Sequence, residues 1–186
     1  MLRHLPNALT LARIAACLPL AWLIVDGRER AALWLAMLAG VSDVLDGFLA
    51  RRMGWQSRLG GLLDPIADKL FMVCAFLALG WVGALPWWLI GLVMLRDAVI
   101  VGGAIAYHWL VEPVPAAPSL PGKASTMAQV LLVLAVLVHE AVRPLPEPGI
   151  GMLAGIVAAL AVFSGAHYVW VWTRRAQAVW RSRAGA

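Results

Sequence analysis

Asp43-Val44-Leu45-Asp46-Gly47-Phe48-Leu49-Ala50-Arg51, followed after a short gap by Gly60-Gly61-Leu62-Leu63-Asp64-Pro65-Ile66-Ala67-Asp68, is the stretch that decides how this chain is read. It gathers four aspartates into otherwise apolar sequence. On a helix, Asp43 and Asp46 stand three apart and share a face, while Asp64 and Asp68 stand four apart and share another. Two helices joined by a turn near Gly54-Trp55-Gln56-Ser57-Arg58 would aim both pairs at one point.

The surroundings say what kind of protein holds that point. The chain has 186 residues, of which 62% are hydrophobic and 13% charged, with a mean hydropathy of +0.83. A soluble domain of this size cannot hide so much apolar surface, so the expected class is an all-α integral membrane protein. Six apolar segments long enough to span a bilayer are predicted near 8–26, 31–52, 59–82, 86–110, 121–142 and 149–173. Polar or Pro- and Gly-rich breaks separate them. The length suits one catalytic domain, 1–186, with a short interfacial segment at 1–7 and a basic tail at 174–186 that reads as a membrane-surface flap. Cys17 and Cys74 fall inside apolar runs without metal-type spacing, so both read as packing thiols. The first residues lack a clean cleavage site, and the N-terminus is expected to be retained.

The net charge of +5 follows the same logic. Basic residues lie between and after apolar runs, which points to orientation and anionic lipid and away from nucleic acid. With the N-terminus in the cytoplasm, the cytoplasmic parts hold Arg3, Arg51, Arg52, Arg58, Lys123, Arg174, Arg175, Arg181 and Arg183. The outer loops then hold only Arg28, Arg30 and Arg143. Both termini are therefore expected in the cytoplasm, and the protein in the inner (cytoplasmic) membrane. Trp81, Trp87, Trp88, Trp109, Trp170 and Trp172 lie near segment ends, where tryptophan anchors an interface.

Each intramembrane aspartate costs roughly 2.5–3.5 kcal/mol on insertion scales. Pairing with Arg51, Lys69 and Arg96 would soften that cost. Four carboxylates at matched spacings fit a divalent-cation site better, because hard cations take carboxylate oxygens and substrate phosphates together. Both pairs fall in the cytoplasmic half of the bilayer, where soluble phosphates and lipid headgroups meet. Gly47, Gly60 and Gly61 leave room for a bulky ligand, and Arg51 suits phosphate oxygens. A divalent-cation transporter is the rival class, although no acidic pair in the outer half completes a path.

The pattern Asp43, Asp46, Gly47, Ala50, Arg51, Gly60, Asp64, Asp68 resembles the signature of the CDP-alcohol phosphotransferase family at every fixed position. The resemblance extends to Pro6, Asn7, Thr10 and Arg13 in the first segment, Arg96 in the fourth, and Gly122, Lys123, Thr126 and Gln129 opening the fifth. It implies a six-helix, dimeric membrane enzyme that transfers a phosphatidyl group from CDP-diacylglycerol to an alcohol and releases CMP. By resemblance, Asp43, Asp46, Asp64 and Asp68 would hold two ions of Mg²⁺ or Mn²⁺, and Asp68 would also be the general base. Gly47, Ala50, Arg51, Gly60, Asn7 and Thr10 would meet the CDP moiety. Arg13, Arg96, Asp97, Lys123 and Thr126 would meet the acceptor.

Acceptor identity turns on the fourth segment. Glycerol-3-phosphate-using members carry Arg-Glu there, with a second arginine eight positions on. Here Arg96 is followed by Asp97, and that later position is Ala104. This resembles the cardiolipin synthases of the family, so phosphatidylglycerol is the expected acceptor and glycerol 3-phosphate the alternative.

Overall fold

Apolar runs of this length have one way to satisfy their backbone in lipid, which is to hydrogen-bond internally as helices. The computed structural model, described here for residues 5–53, 58–111, 119–142 and 147–184, is helical accordingly, with no strand among those residues. Six helices follow in order: α1 Leu5–Val25, α2 Glu29–Met53, α3 Arg58–Trp81, α4 Trp87–Leu110, α5 Leu120–Ala141 and α6 Glu147–Ala184. Their bounds track the first five apolar segments to within three residues, whereas α6 runs on past the predicted end at 173.

Two of the helix ends are closed by glycine. Gly27 (φ 71°) and Gly83 (φ 81°) adopt the left-handed conformation that side chains resist. After α1, Arg28 N–H donates to the Leu23 carbonyl at 2.9 Å and Gly27 N–H to that of Ile24 at 3.2 Å. After α3, Ala84 N–H reaches Leu79 at 2.9 Å and Gly83 N–H reaches Gly80 at 3.1 Å. These paired bonds satisfy carbonyls that a helix end would leave bare. At the start of α5, the Ser119 hydroxyl accepts the Gly122 N–H at 3.2 Å, an N-cap.

The helices pack as two compact units. The first holds α1, α2, α3 and the part of α5 from Val133. Cys17, Leu20 and Ile24 of α1, and Ala75, Phe76 and Leu79 of α3, are buried at helical spacing. The small residues Ala32 and Ala36 of α2 are buried as well, and small side chains let helix backbones approach. Arg30 Nε donates to the Ala141 carbonyl at 3.0 Å, tying the start of α2 to the end of α5. The second unit holds α4, α5 through Leu132, and α6. Its core includes Leu89, Ile90, Val93, Leu132 and Val157.

Large apolar side chains also cover the outside. Leu18, Leu38, Leu95, Leu131, Met152 and Phe163 are all exposed, as a lipid-facing surface requires and a water-facing one does not. Among the described residues, Trp87–Trp109, Leu120–Ala141 and Pro148–Arg181 are long and apolar enough to cross a membrane, and Thr10–Val25 is a shorter apolar helix.

Residues 174–184, the basic tail, are helical. They continue α6 without a break. The Arg174-Arg175-Ala176-Gln177-Ala178 run consists of strong helix formers. The Arg174 guanidinium also lies 4.7 Å from the Trp170 ring one turn earlier. Trp81, Trp87, Trp88, Trp109 and Trp170 are exposed as interface anchors would be, but Trp172 is not. It packs beside Tyr168, with ring centroids 5.3 Å apart, and over Gly103, where any added Cβ would run into the indole.

Candidate active site

Thr10, Arg13 and Cys17 recur at three- and four-residue steps on α1, so they share one face. All three are buried. A hydroxyl and a guanidinium inside an apolar unit must find partners, and they find the aspartates. Thr10 Oγ1 donates to Asp64 Oδ1 at 2.5 Å. Arg13 Nη1 donates to Asp68 Oδ1 at 2.7 Å and lies 2.6 Å from Asp43 Oδ1. Charge-assisted bonds of this length are among the stronger ones available to a protein.

Three of the four signature aspartates therefore meet α1 at two residues one turn apart. The Arg13 side chain is 4% exposed, while those of Asp43 and Asp68 are 42% and 51% exposed. The cation lies at the bottom of the site and the carboxylates open outward. Asn7, Asp46, Gly47, Ala50, Arg51 and Gly60 belong to α1, α2 and α3, but their side-chain placement lies outside the described residues.

Two carboxylate oxygens meeting on one cationic nitrogen form a donor set that suits a hard divalent ion. Among the described residues no three of His, Cys, Asp and Glu stand close enough to enclose a metal. The carboxylates of Asp43 and Asp68 are the part of such a set that the described residues bring together.

The second unit has its own polar cluster. Arg96 of α4 is buried. Its Nη1 donates to Asp97 Oδ1 at 2.6 Å, and its Nη2 to Ser164 Oγ of α6 at 2.9 Å and to the Gly122 carbonyl of α5 at 3.4 Å. Thr126 Oγ1 donates to the same carbonyl at 3.1 Å. Ser119 N–H donates to the Tyr168 hydroxyl at 3.0 Å. Gly122 is needed here, since a Cβ would press on that hydroxyl and on Ser119 Oγ. Of the residues expected at the acceptor, Arg96, Asp97 and Thr126 thus belong to one cluster around Gly122, and Lys123 next to it is exposed. Arg13 is instead bound to the signature aspartates.

Ser164 and Tyr168 were not singled out from sequence, and Trp172 was read only as an interface anchor. They lie four apart on α6 and so share a face. That spacing of one hydroxyl and two polar-tipped aromatics was the available signal.

A family model described as CDP-alcohol phosphatidyltransferase matches residues 3–172. The chain belongs to the CDP-alcohol phosphatidyltransferase family. The match runs through both compact units, and with the apolar helices it makes this an integral membrane protein of a transferase family. Relatives carry two kinds of name. A rice protein, "CDP-diacylglycerol--glycerol-3-phosphate 3-phosphatidyltransferase 1, chloroplastic", is 42% identical over 55% of this chain and 31% of its own. A probable cardiolipin synthase (CMP-forming) of Drosophila melanogaster is 37% identical over 60% of this chain and 35% of its own. The human cardiolipin synthase (CMP-forming) is 30% identical over 72% of this chain and 50% of its own. The chain spans half or less of the length of these curated relatives.

Proposed function

We propose that this CDP-alcohol phosphatidyltransferase moves the phosphatidyl group of CDP-diacylglycerol onto phosphatidylglycerol, forming cardiolipin and releasing CMP. The observation that carries the transferase reading is the convergence of Asp43 and Asp68 on one cationic position, inside the full signature of the family. The acceptor's hydroxyl oxygen forms a bond to the phosphatidyl phosphorus. The bond from that phosphorus to the CMP phosphate oxygen breaks, and its electron pair leaves with CMP. Asp68 accepts the hydroxyl proton, which a half-exposed carboxylate at the mouth of the site is suited to do.

Asp43, Asp46, Asp64 and Asp68 would hold the divalent ions, two of Mg²⁺ or Mn²⁺. Such ions supply neutralisation of the pyrophosphate and of the departing CMP. Gly47, Ala50, Arg51, Gly60 and Asn7 would bind the CDP moiety, with Thr10 holding Asp64 in place. Asp97, Lys123 and Thr126 would face the acceptor, and buried Arg96 would fix Asp97 and the start of α5. The enzyme would work as a homodimer with six spans, both termini and the active site facing the cytoplasm.

Asp97 after Arg96, and Ala104 where glycerol-3-phosphate-using members have arginine, favour phosphatidylglycerol. The rice relative's name favours glycerol 3-phosphate as the second reading. Membership in a transferase family favours either over cation transport. Purified protein given CDP-diacylglycerol and Mn²⁺ should be offered both acceptors side by side, with products read by mass spectrometry. Cardiolipin is the expected product. Phosphatidylglycerophosphate alone would reverse the acceptor assignment, and no metal-dependent CMP release with any alcohol would sink the transferase reading.

A further inference from the structure

Arg13 occupies the place that the proposed reading gives to a metal. Its Nη1 lies 2.6 Å from Asp43 Oδ1 and 2.7 Å from Asp68 Oδ1. A divalent ion held by those oxygens would sit against a guanidinium that is buried and carries full positive charge. The two cations repel strongly where water cannot screen them. They cannot share the site in this arrangement.

Room to move lies beside the arginine. A cavity of about 170 Å³ is lined by Arg13 itself, Ala16 of α1, and Leu38, Ala39 and Ser42 of α2. A water takes roughly 30 Å³ of liquid volume, so this space can accept a guanidinium that has left the carboxylates. Ser42 is the polar residue among those of α2 that line it.

We propose that Arg13 is the resident counter-cation of this site: it holds Asp43 and Asp68 together in the metal-free protein and is displaced from them when a divalent ion binds. The inference rests on the metal-dependent reading above. It assigns Arg13 to the metal site and removes it from the acceptor residues. It also gives the four acids a stable resting state, because a buried cation meets two of them before any ion arrives.

Competition has a signature that a purely structural arginine lacks. Removing a competitor tightens metal binding, whereas removing a brace loosens the site and weakens it. The full chain in detergent should be titrated with Mn²⁺, following bound ion by electron paramagnetic resonance and stability by thermal unfolding. Arg13→Gln should lower the metal-free melting temperature and lower the Mn²⁺ dissociation constant about tenfold. The Mn²⁺-induced rise in melting temperature should then exceed that of the wild type. Arg13→Lys, which keeps the charge with a different reach, should shift in the same direction by less.

Mn²⁺ binding by the wild type that Arg13→Gln leaves unchanged or weakens overturns the inference and leaves the metal-dependent function standing. Absence of Mn²⁺ binding in wild type and variants alike overturns the metal reading itself, and the inference with it. Should Arg13→Gln fail to fold, Arg13→Lys decides alone by the same criterion.

Discussion

The Thr10 hydroxyl of α1 donates to the Asp64 carboxylate of α3 from a side chain with no exposed surface. Asp64 is thereby oriented by a neutral donor and Asp68, one turn on, by a charged one. A hydrogen bond to a charged group contributes about 1.5–3 kcal/mol. Thr10→Val keeps the shape and removes the donor. It should lower stability by about 1–2 kcal/mol and raise the Mn²⁺ concentration needed for half-maximal CMP release. Thermal unfolding and a metal titration of activity check both effects; an unchanged metal requirement would show that Asp64 is oriented without Thr10.

Asp68→Asn removes the proposed base and retains the volume. CMP release should fall by roughly 10²–10⁴ while the variant still folds. Asparagine can still accept the Arg13 bond, so circular dichroism and melting temperature should change much less than rate. Full activity in this variant would refute the base assignment.

Arg96 and Asp97 form a pair in which both side chains are largely buried, 5% and 15% exposed. Arg96→Met strands the Asp97 charge without its guanidinium and should destabilise the protein by about 3–5 kcal/mol. Combining Arg96→Met with Asp97→Asn should recover part of that loss, and a double-mutant cycle by thermal unfolding measures how much. Strict additivity would mean the two side chains do not act as a pair.

Gly103→Ala places a methyl against the Trp172 indole. Overpacking of this kind costs typically about 1–3 kcal/mol. Trp172→Leu in the same chain should restore stability, because the added methyl then meets a smaller neighbour. A melting temperature for Gly103→Ala equal to the wild type would mean that α4 and α6 are not packed as described.

The helices were legible because apolar length and Pro- or Gly-rich breaks are local signals. α2 and α3 are the instructive cases. They were drawn as apolar runs like the others, and the spacing of their aspartates then set them apart as the site. The same charges suggested the metal chemistry proposed above. Partnerships across the fold were not readable in this way. Nothing near Arg13 in sequence says that it meets Asp68, 55 positions on, and resemblance alone sent it to the acceptor. That α6 runs on to Ala184 was not read, because a polar helix that extends an apolar one has no break to mark it. Trp172 was taken as an anchor because a tryptophan near a helix end ordinarily is one, and the nearby absence of a Cβ at Gly103 becomes informative only once α4 and α6 are paired.

Two arginines end on main-chain oxygen: exposed Arg30 on the Ala141 carbonyl and buried Arg96 on that of Gly122. Any amino acid presents a carbonyl, so a change of side chain at position 141 leaves the acceptor in place. Comparing many sequences for positions that change together would find no correlated partner for Arg30 there, however firmly it joins the beginning of one helix to the end of another. The contact is mechanically present and genealogically silent.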